Sequence, residues 1–299
     1  MLPMHFWIKA TRPWSFPAST MPVVLTAAYV FYQQQTTDLS VSWFFLPAVF
    51  VAVVCYHAGL NMISDFNDFK TGVDTKESLG YKSPLVMGVI SEKQWKIVAH
   101  SILLSGTGLG FIMAISSGYH LLWMGGIGLI AGYFYHIFKK YTLGDLLIFV
   151  LFGVLIVQGT FYVLTSELSV TAVYLSVPIG LITTAILHAN YTRDIVHDLQ
   201  AGVKTQASLV GLRNAKIEYA ILVFGGYLMV VVLVFFEILP LLCLGIFLTL
   251  PLGIINTKTI IKVSKENLTP ILDLDEKTAK LQLLFTLSLS CLILISLYL

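Results

Sequence analysis

Asn61-Met-Ile-Ser-Asp65-Phe-Asn-Asp68-Phe-Lys-Thr-Gly72-Val73-Asp74-Thr75 ends one long apolar stretch of the chain, and Asn190-Tyr-Thr-Arg-Asp194-Ile-Val-His-Asp198-Leu-Gln-Ala-Gly202-Val203-Lys204-Thr205 ends another. Both copies read Asn-x3-Asp, then Asp after two or three residues, then x3-Gly-Val-x-Thr. Asp194 and Asp198 are one helical turn apart, and Asp65 and Asp68 share a face at i, i+3. Like charges so placed repel unless a cation sits between them. Hard cations held by Asp oxygens are in turn a common grip on a diphosphate.

Working outward, the chain has 299 residues, 57% hydrophobic and 11% charged, with mean hydropathy +0.84. A soluble domain carries about 25% charged residues, so this composition describes one integral membrane domain over 1–299 with no room for a sizeable soluble one. The net charge of +2 offers no general attraction for nucleic acid. Cys55, Cys243 and Cys291 lie in apolar segments without a C-x-x-C pair, which reads as buried thiols. The N-terminus lacks a short apolar core followed by a small-residue cleavage site, so its first apolar segment reads as an uncleaved span.

Stretches of about 20 apolar residues cross a bilayer as helices. Nine are expected, at 17–34, 43–63, 95–115, 120–138, 145–164, 170–191, 217–237, 239–256 and 280–299. All 18 Lys and Arg fall in or beside the N-terminal segment and the loops after the second, fourth, sixth and eighth spans. The alternate loops, 35–42, 116–119, 165–169 and the turn at Glu237, hold none. The positive-inside rule then puts the N-terminus and both Asp motifs in the cytoplasm and the C-terminus outside. Loops 64–94 and 192–216 are expected to cap a central cavity ringed by the helices.

A solvated loop after a helix is the plain reading of Asp65, Asp68 and Asp74; the second motif shifts the balance to a functional one, since ionisable groups at membrane depth are by default functional. Oxygen-only ligands with no His/Cys cluster suit Mg²⁺ better than Zn²⁺. Asn61 and Asn190 precede an Asp by one turn and can bond a carboxylate, a cation or a phosphate oxygen, or simply cap a helix. Lys204 can meet a phosphate as a point charge or stay solvated. Tyr135-His-Ile-Phe-Lys139-Lys140-Tyr-Thr142, and Lys9 with Arg12, read either as orientation and headgroup signals or as grips on a diphosphate.

Together these segments resemble the UbiA superfamily of intramembrane prenyltransferases over nearly the whole chain. The resemblance rests on both Asp motifs, Tyr135-x-x-x-Lys139-Lys140-x-Thr142, Pro84-Leu85-x-x-Gly88-x-Ile90-Ser91 and Leu272-Asp-x-Asp275-x-x-Thr278-Ala279. Trp7-x-x-Ala10-Thr-Arg12-Pro13, Asn190-x-x-Arg193-Asp194-Ile195 and Leu143-Gly144-Asp145 look most like its menaquinone branch, the 1,4-dihydroxy-2-naphthoate polyprenyltransferases. Ser64 stands where the broader family places Asn, and Lys204 lies one position later than that branch has it.

The resemblance implies Mg²⁺-dependent transfer of a polyprenyl group from its diphosphate to an aromatic acceptor, in a prokaryotic inner membrane. It implies Asp65, Asp68, Asp194 and Asp198 as the catalytic carboxylates and, with Asp74, as metal ligands. Asn61, Asn190, Arg193, Lys204, Tyr135, Lys139 and Arg12 would bind substrate. Tyr133, Tyr135, Phe152, Phe161 and Tyr162 are candidate faces for an allylic cation. His57, Gln158 and His188, polar groups inside or near spans, could orient an acceptor or accept the ring proton, but such residues are more often satisfied by neighbouring backbone and are left out of the site. The alternatives are a non-aromatic acceptor such as a glycerol lipid, and a membrane transporter.

Overall fold

The computed structural model describes residues 3–76, 81–200 and 202–299. Among these the fold is all-helical; the extended pairing present is an isolated bridge between Ser264 and Asn267. Nine main helices follow the short helix Met4–Ala10: α1 (Pro17–Thr36), α2 (Trp43–Lys70), α3 (Glu92–Ser117), α4 (His120–Tyr133), α5 (Gly144–Thr165), α6 (Val170–Arg193), α7 (Gln206–Phe235), α8 (Leu241–Lys262) and α9 (Thr269–Tyr298). Seven of them, α2, α3 and α5 to α9, are long and apolar enough to cross a membrane, and the protein is an integral membrane protein. The other two occupy expected spans but differ in kind. α1 is 20 residues long and carries Gln33, Gln34 and Gln35 in its last turns. α4 has only 14 residues, less than the length that spans a hydrocarbon core.

Local chemistry sets several helix ends. Pro17 sits in the first turn of α1, where a missing N–H is harmless. Ser91 and Gln94 form a capping box at the start of α3. Ser169 caps α6 through the Ala172 N–H at 3.2 Å.

Three expectations about boundaries are corrected. The first motif does not lie in a capping loop, because α2 continues through Asp65 and Asp68 to Lys70. The expected loop 192–216 is largely helical as well: the short helix Ile195–Gln200 follows Asp194, and α7 begins at Gln206 behind a Thr205–Ser208 capping box. Within α7, Gly211 (φ 79°) breaks the helical path. The span expected at 120–138 divides at Phe134, where φ −93° and ψ 16° end α4 and the short helix Tyr135–Lys140 starts. Hydropathy marks where apolar surface stops. A helix persists beyond that point wherever its polar side chains find partners.

α2 packs on α3, α6 on α7 and α9, and α9 closes against α1. The largest core cluster fills the space between α1 and α5–α9, with Tyr29, Tyr219, Tyr227 and Phe285 fully buried. A second cluster surrounds Trp95, whose Nε1 donates to the Met62 carbonyl at 2.7 Å and ties α3 to α2. α5 and α6 approach closely at Gly153 and Gly180, where a Cβ on Gly153 would stand 2.9 Å from the Gly180 Cα. Gly153 belongs to a π-helical stretch, Phe149–Leu155, a local widening that recurs at functional sites.

Candidate active site

The two motifs end in the same turn. The Val73 N–H donates to the Asp68 carbonyl at 2.9 Å, and the Val203 N–H donates to the Asp198 carbonyl at 2.8 Å. Gly72 and Gly202 between them both have φ +73°, the left-handed region that glycine enters without strain. The sequence repeat is therefore also a repeat of backbone shape. His197 joins the copies directly, its Nε2 donating to the Val73 carbonyl at 2.7 Å.

Lys139 occupies the space between the motifs. Its Nζ lies 3.7 Å from Asp68 Oδ2 and 4.0 Å from Asp198 Oδ1. The helix break at Phe134 delivers it there from the next turn of the chain. Burial opposes the ammonium charge, but Asp68 and Asp198 outweigh it and hold Lys139 above its ordinary pKa. Burial pushes Asp198 up to about 6, with Lys139 opposing and Asp194 and Asp68 adding to the rise. Burial, then Asp68, also raises Asp74.

Two arginines hold Asp65 and Asp194. Arg12, in the left-handed region at φ 54°, pairs with buried Asp65 and stacks 4.7 Å over the Tyr81 ring. Arg193 grips Asp194 through Nε at 2.9 Å and Nη2 at 2.8 Å, a bidentate fork. Its Nη1 reaches the Leu272 carbonyl at 3.2 Å and Asp275 at 3.3 Å, tying α6 to the start of α9. Tyr135 and Tyr191 share a hydroxyl–hydroxyl bond. The Asn61 amide donates to Ser15 Oγ at 3.3 Å.

These groups surround a cavity of about 250 Å³. Asp68, Asp74, Asp194 and Asp198 face it, as do Asn61, Asn190, Arg12, Arg193, Tyr135 and Lys139. Asp65 stands behind Arg12 and does not line it; its Oδ2 is buried without a partner. Lys204 is exposed and outside the lining. Of the aromatic candidates, Tyr135 and Phe152 face the cavity and Tyr133, Phe161 and Tyr162 do not. Sequence reasoning left out Trp14, Ser15, His57, Tyr81, Tyr191 and Asp275, all of which line it. Asp275 carried a signal in the tail motif and Tyr191 adjoins Asn190. Tyr81 is brought in by the tertiary fold alone.

A second cavity of about 300 Å³, lined almost wholly by apolar groups from α2 to α5, adjoins the first. His57, Leu60, Leu151 and Phe152 line both. A polar compartment opening into an apolar one fits a molecule with an anionic head and a hydrocarbon body. Among the described residues no three His, Cys, Asp or Glu side chains converge tightly enough to enclose an ion. The donor set is nonetheless oxygen-only, with an unpartnered Asp65 oxygen. It fits a hard cation that keeps several waters, as Mg²⁺ does, and not an all-protein cage.

Gln158 is satisfied by backbone as expected, whereas His188 takes one backbone partner and one carboxylate. His188 is held by Asp145 at 2.6 Å and the Ala215 carbonyl at 2.9 Å, and the Gln158 amide reaches the Ser169 backbone. Both lie outside the polar cavity.

Comparison with known proteins agrees with this geometry. The pattern of the UbiA prenyltransferase family matches residues 19–268. The UbiA prenyltransferase domain-containing protein 1 homolog of Drosophila melanogaster is 31% identical over 239 residues, covering 74% of this chain and 62% of its own length. That of Danio rerio is 33% identical over 242 residues, covering 76% and 68%. The chain thus spans about two-thirds of the length of these curated relatives. Both are animal proteins, so neither the menaquinone branch nor a prokaryotic membrane draws support from them. Among solved structures, a UbiA homolog from Aeropyrum pernix superposes with TM-score 0.65 at 16% identity, over 93% of this chain and 98% of its own. One from Archaeoglobus fulgidus, bound to GPP and Mg²⁺, superposes with TM-score 0.61 at 14% identity, over 96% and 99%.

Proposed function

The chain belongs to the UbiA prenyltransferase family, and from that membership we propose that it transfers a polyprenyl group from polyprenyl diphosphate to an aromatic acceptor of the 1,4-dihydroxy-2-naphthoate type, in the biosynthesis of a lipid electron carrier. The observation that carries this reading is the junction of the two cavities: a cation set between carboxylates of both motifs, opening directly onto an apolar chamber. The GPP and Mg²⁺ bound by the Archaeoglobus homolog match the two chemistries that these compartments offer.

Asp68, Asp74, Asp194 and Asp198, which line the polar cavity, would hold Mg²⁺, with Asp65 behind Arg12 reaching it only once that ion pair opens. Held there, Mg²⁺ would supply positive charge to neutralise diphosphate and to offset the charge that grows on it as the allylic C–O bond breaks. Lys139 and Arg193 add fixed positive charge around the same oxygens. Lys204 meets the incoming anion from the surface. Asn61, Asn190 and Tyr135 donate hydrogen bonds, and Arg12 holds Asp65 and the Tyr81 ring in register. Phe152 presents a π face where positive charge develops on the prenyl carbon. The apolar chamber keeps water from that carbon until the acceptor reacts. Nine segments cross the bilayer in this reading, α4 doing so together with the short helix Tyr135–Lys140 that follows it, with the polar cavity and the N-terminus cytoplasmic.

Purified protein with farnesyl diphosphate, a 1,4-dihydroxynaphthalene and Mg²⁺ should release pyrophosphate only when both organic substrates are present. EDTA should abolish release and added Mg²⁺ restore it. A transporter releases none. A prenylated glycerol lipid, identified by mass spectrometry, would replace the aromatic acceptor with the alternative one.

A further inference from the structure

His57 is a buried histidine in the middle of α2, 7% exposed, to which neither Asp motif assigns a role. It lines both cavities. Its Nε2 lies 3.3 Å from Ser15 Oγ, and Ser15 lines the polar cavity. Its Nδ1 lies 3.0 Å from Ser19 Oγ, and Ser19 lines the apolar one. The ring packs edge-on against Phe152, with centroids 4.9 Å apart.

Hydrogen-bond accounting orders the neutral ring. Ser15 commits its proton to the Arg12 carbonyl at 2.7 Å and accepts from the Asn61 amide at 3.3 Å. It therefore receives the Nε2–H, which makes Nδ1 the acceptor. Ser19 has two places for its proton: Nδ1, and the Phe16 carbonyl at 3.2 Å. When Ser19 gives its proton to Phe16, the Nδ1 lone pair carries no hydrogen bond and is the basic site of the ring, and a small displacement of the Ser19 hydroxyl exposes it to a substrate proton. Arg12, whose carbonyl anchors this chain of bonds, has its guanidinium paired with Asp65, so a second cation near Ser15 would not stand beside an unpaired one.

The reaction proposed above puts the donor's diphosphate in the polar cavity and its hydrocarbon in the apolar one. The carbon joining them must then lie at the seam formed by His57, Leu60, Leu151 and Phe152. Of these four side chains, His57 alone can accept a proton. We propose that His57 is a catalytic residue that takes the proton released by the acceptor ring. The C1–O bond of the donor breaks with its electron pair going to diphosphate. The acceptor's ring carbon supplies the pair for the new C–C bond. The C–H bond at that carbon then breaks, its pair restores the aromatic ring, and its proton passes to Nδ1. The imidazolium loses a proton to the diphosphate or water of the polar cavity.

This assignment rests on the aromatic reading, and the test separates the two. The probes are farnesyl diphosphate and 1,4-dihydroxynaphthalene with hydrogen or deuterium at ring positions 2 and 3. In His57→Asn, kcat should fall by about 10²–10⁴, the range that loss of a general base produces. The donor's KM should stay near the wild-type value, and a primary isotope effect should appear on kcat as C–H breaking becomes limiting. Should His57→Asn fail to fold, His57→Gln carries the same measurement with an amide still in reach of Ser15 and Ser19. In His57→Gly, added imidazole should restore turnover. An unchanged kcat overturns the assignment, as does a fall with no isotope effect and no rescue, or a parallel rise in donor KM. Wild-type protein that prenylates no aromatic acceptor removes the aromatic reading, and this assignment with it.

Discussion

Lys139 is the residue on which the two motifs depend most directly, because it is the cation shared by Asp68 and Asp198. Removing one partner of a buried charge set leaves the others uncompensated. Lys139→Met is expected to leave the protein in the membrane and to raise the donor's KM by about tenfold or more, the equivalent of about 1.4 kcal/mol; steady-state kinetics over a range of farnesyl diphosphate concentrations checks this. Asp68→Ala and Asp198→Ala should each lower turnover by about 10²–10³, the scale seen when one electrostatic stabiliser of a transition state is lost, with the yield of folded protein unchanged by size-exclusion chromatography. The pH dependence has a definite sign. Burial raises Asp198 to about 6, so its protonated form suits the folded chain, and the stability contributed by this group grows as pH falls through that value and is lost as pH rises. Cation binding requires the carboxylate and runs the other way. The Mg²⁺ concentration that gives half-maximal turnover should therefore be higher at pH 5.5 than at pH 7.5, and a flat dependence would remove Asp198 from the cation site.

At the scale of elements, the breaks matter as much as the helices. α4 stops at Phe134, and the short helix that follows carries Tyr135 and Lys139 to the cavity wall. α6 ends at Arg193, and the turn at Asp194 lets Ile195–Gln200 swing Asp198 towards Lys139. In α5 the π-helical stretch Phe149–Leu155 sets Leu151 and Phe152 at the seam between the cavities. Its position depends on the contact between Gly153 and Gly180, where a side chain would meet backbone 2.9 Å away. Gly153→Val is expected to destabilise by about 1–3 kcal/mol through overpacking and to lower the unfolding temperature in detergent. The same shift of α5 should displace Phe152 and reduce turnover in the fraction that still folds. A variant with wild-type melting and wild-type turnover would show that the close approach is incidental.

For the whole molecule the decisive property is sidedness. The proposed orientation puts the basic residues on the cytoplasmic side of the expected spans, and because both motifs meet in one cavity, it puts the mouth of that cavity on the same side. In a background without reactive thiols, a cysteine replacing exposed Glu167 should react with an impermeant maleimide added outside intact cells. One replacing exposed Lys265 should react only after the membrane is opened. Reversed labelling would turn the proposed orientation over. Equal labelling at both sites in intact cells would break the assignment of alternate loops to opposite faces.

The membrane class, the approximate helical segments and the pair of carboxylate motifs were all visible in the chain, since apolar length and residue spacing are local properties that hydropathy and helical geometry read directly. Asp68, Asp194 and Asp198 were legible for that reason. The tertiary structure decided which charges meet: Arg12 on Asp65, Lys139 between Asp68 and Asp198, and Arg193 on Asp194 and Asp275. It also turned Lys204 to the surface and set His57 at the seam. Those outcomes depend on how helices distant in sequence pack and where they break, and a side chain's partners across a cavity leave no periodic trace in the chain that carries it.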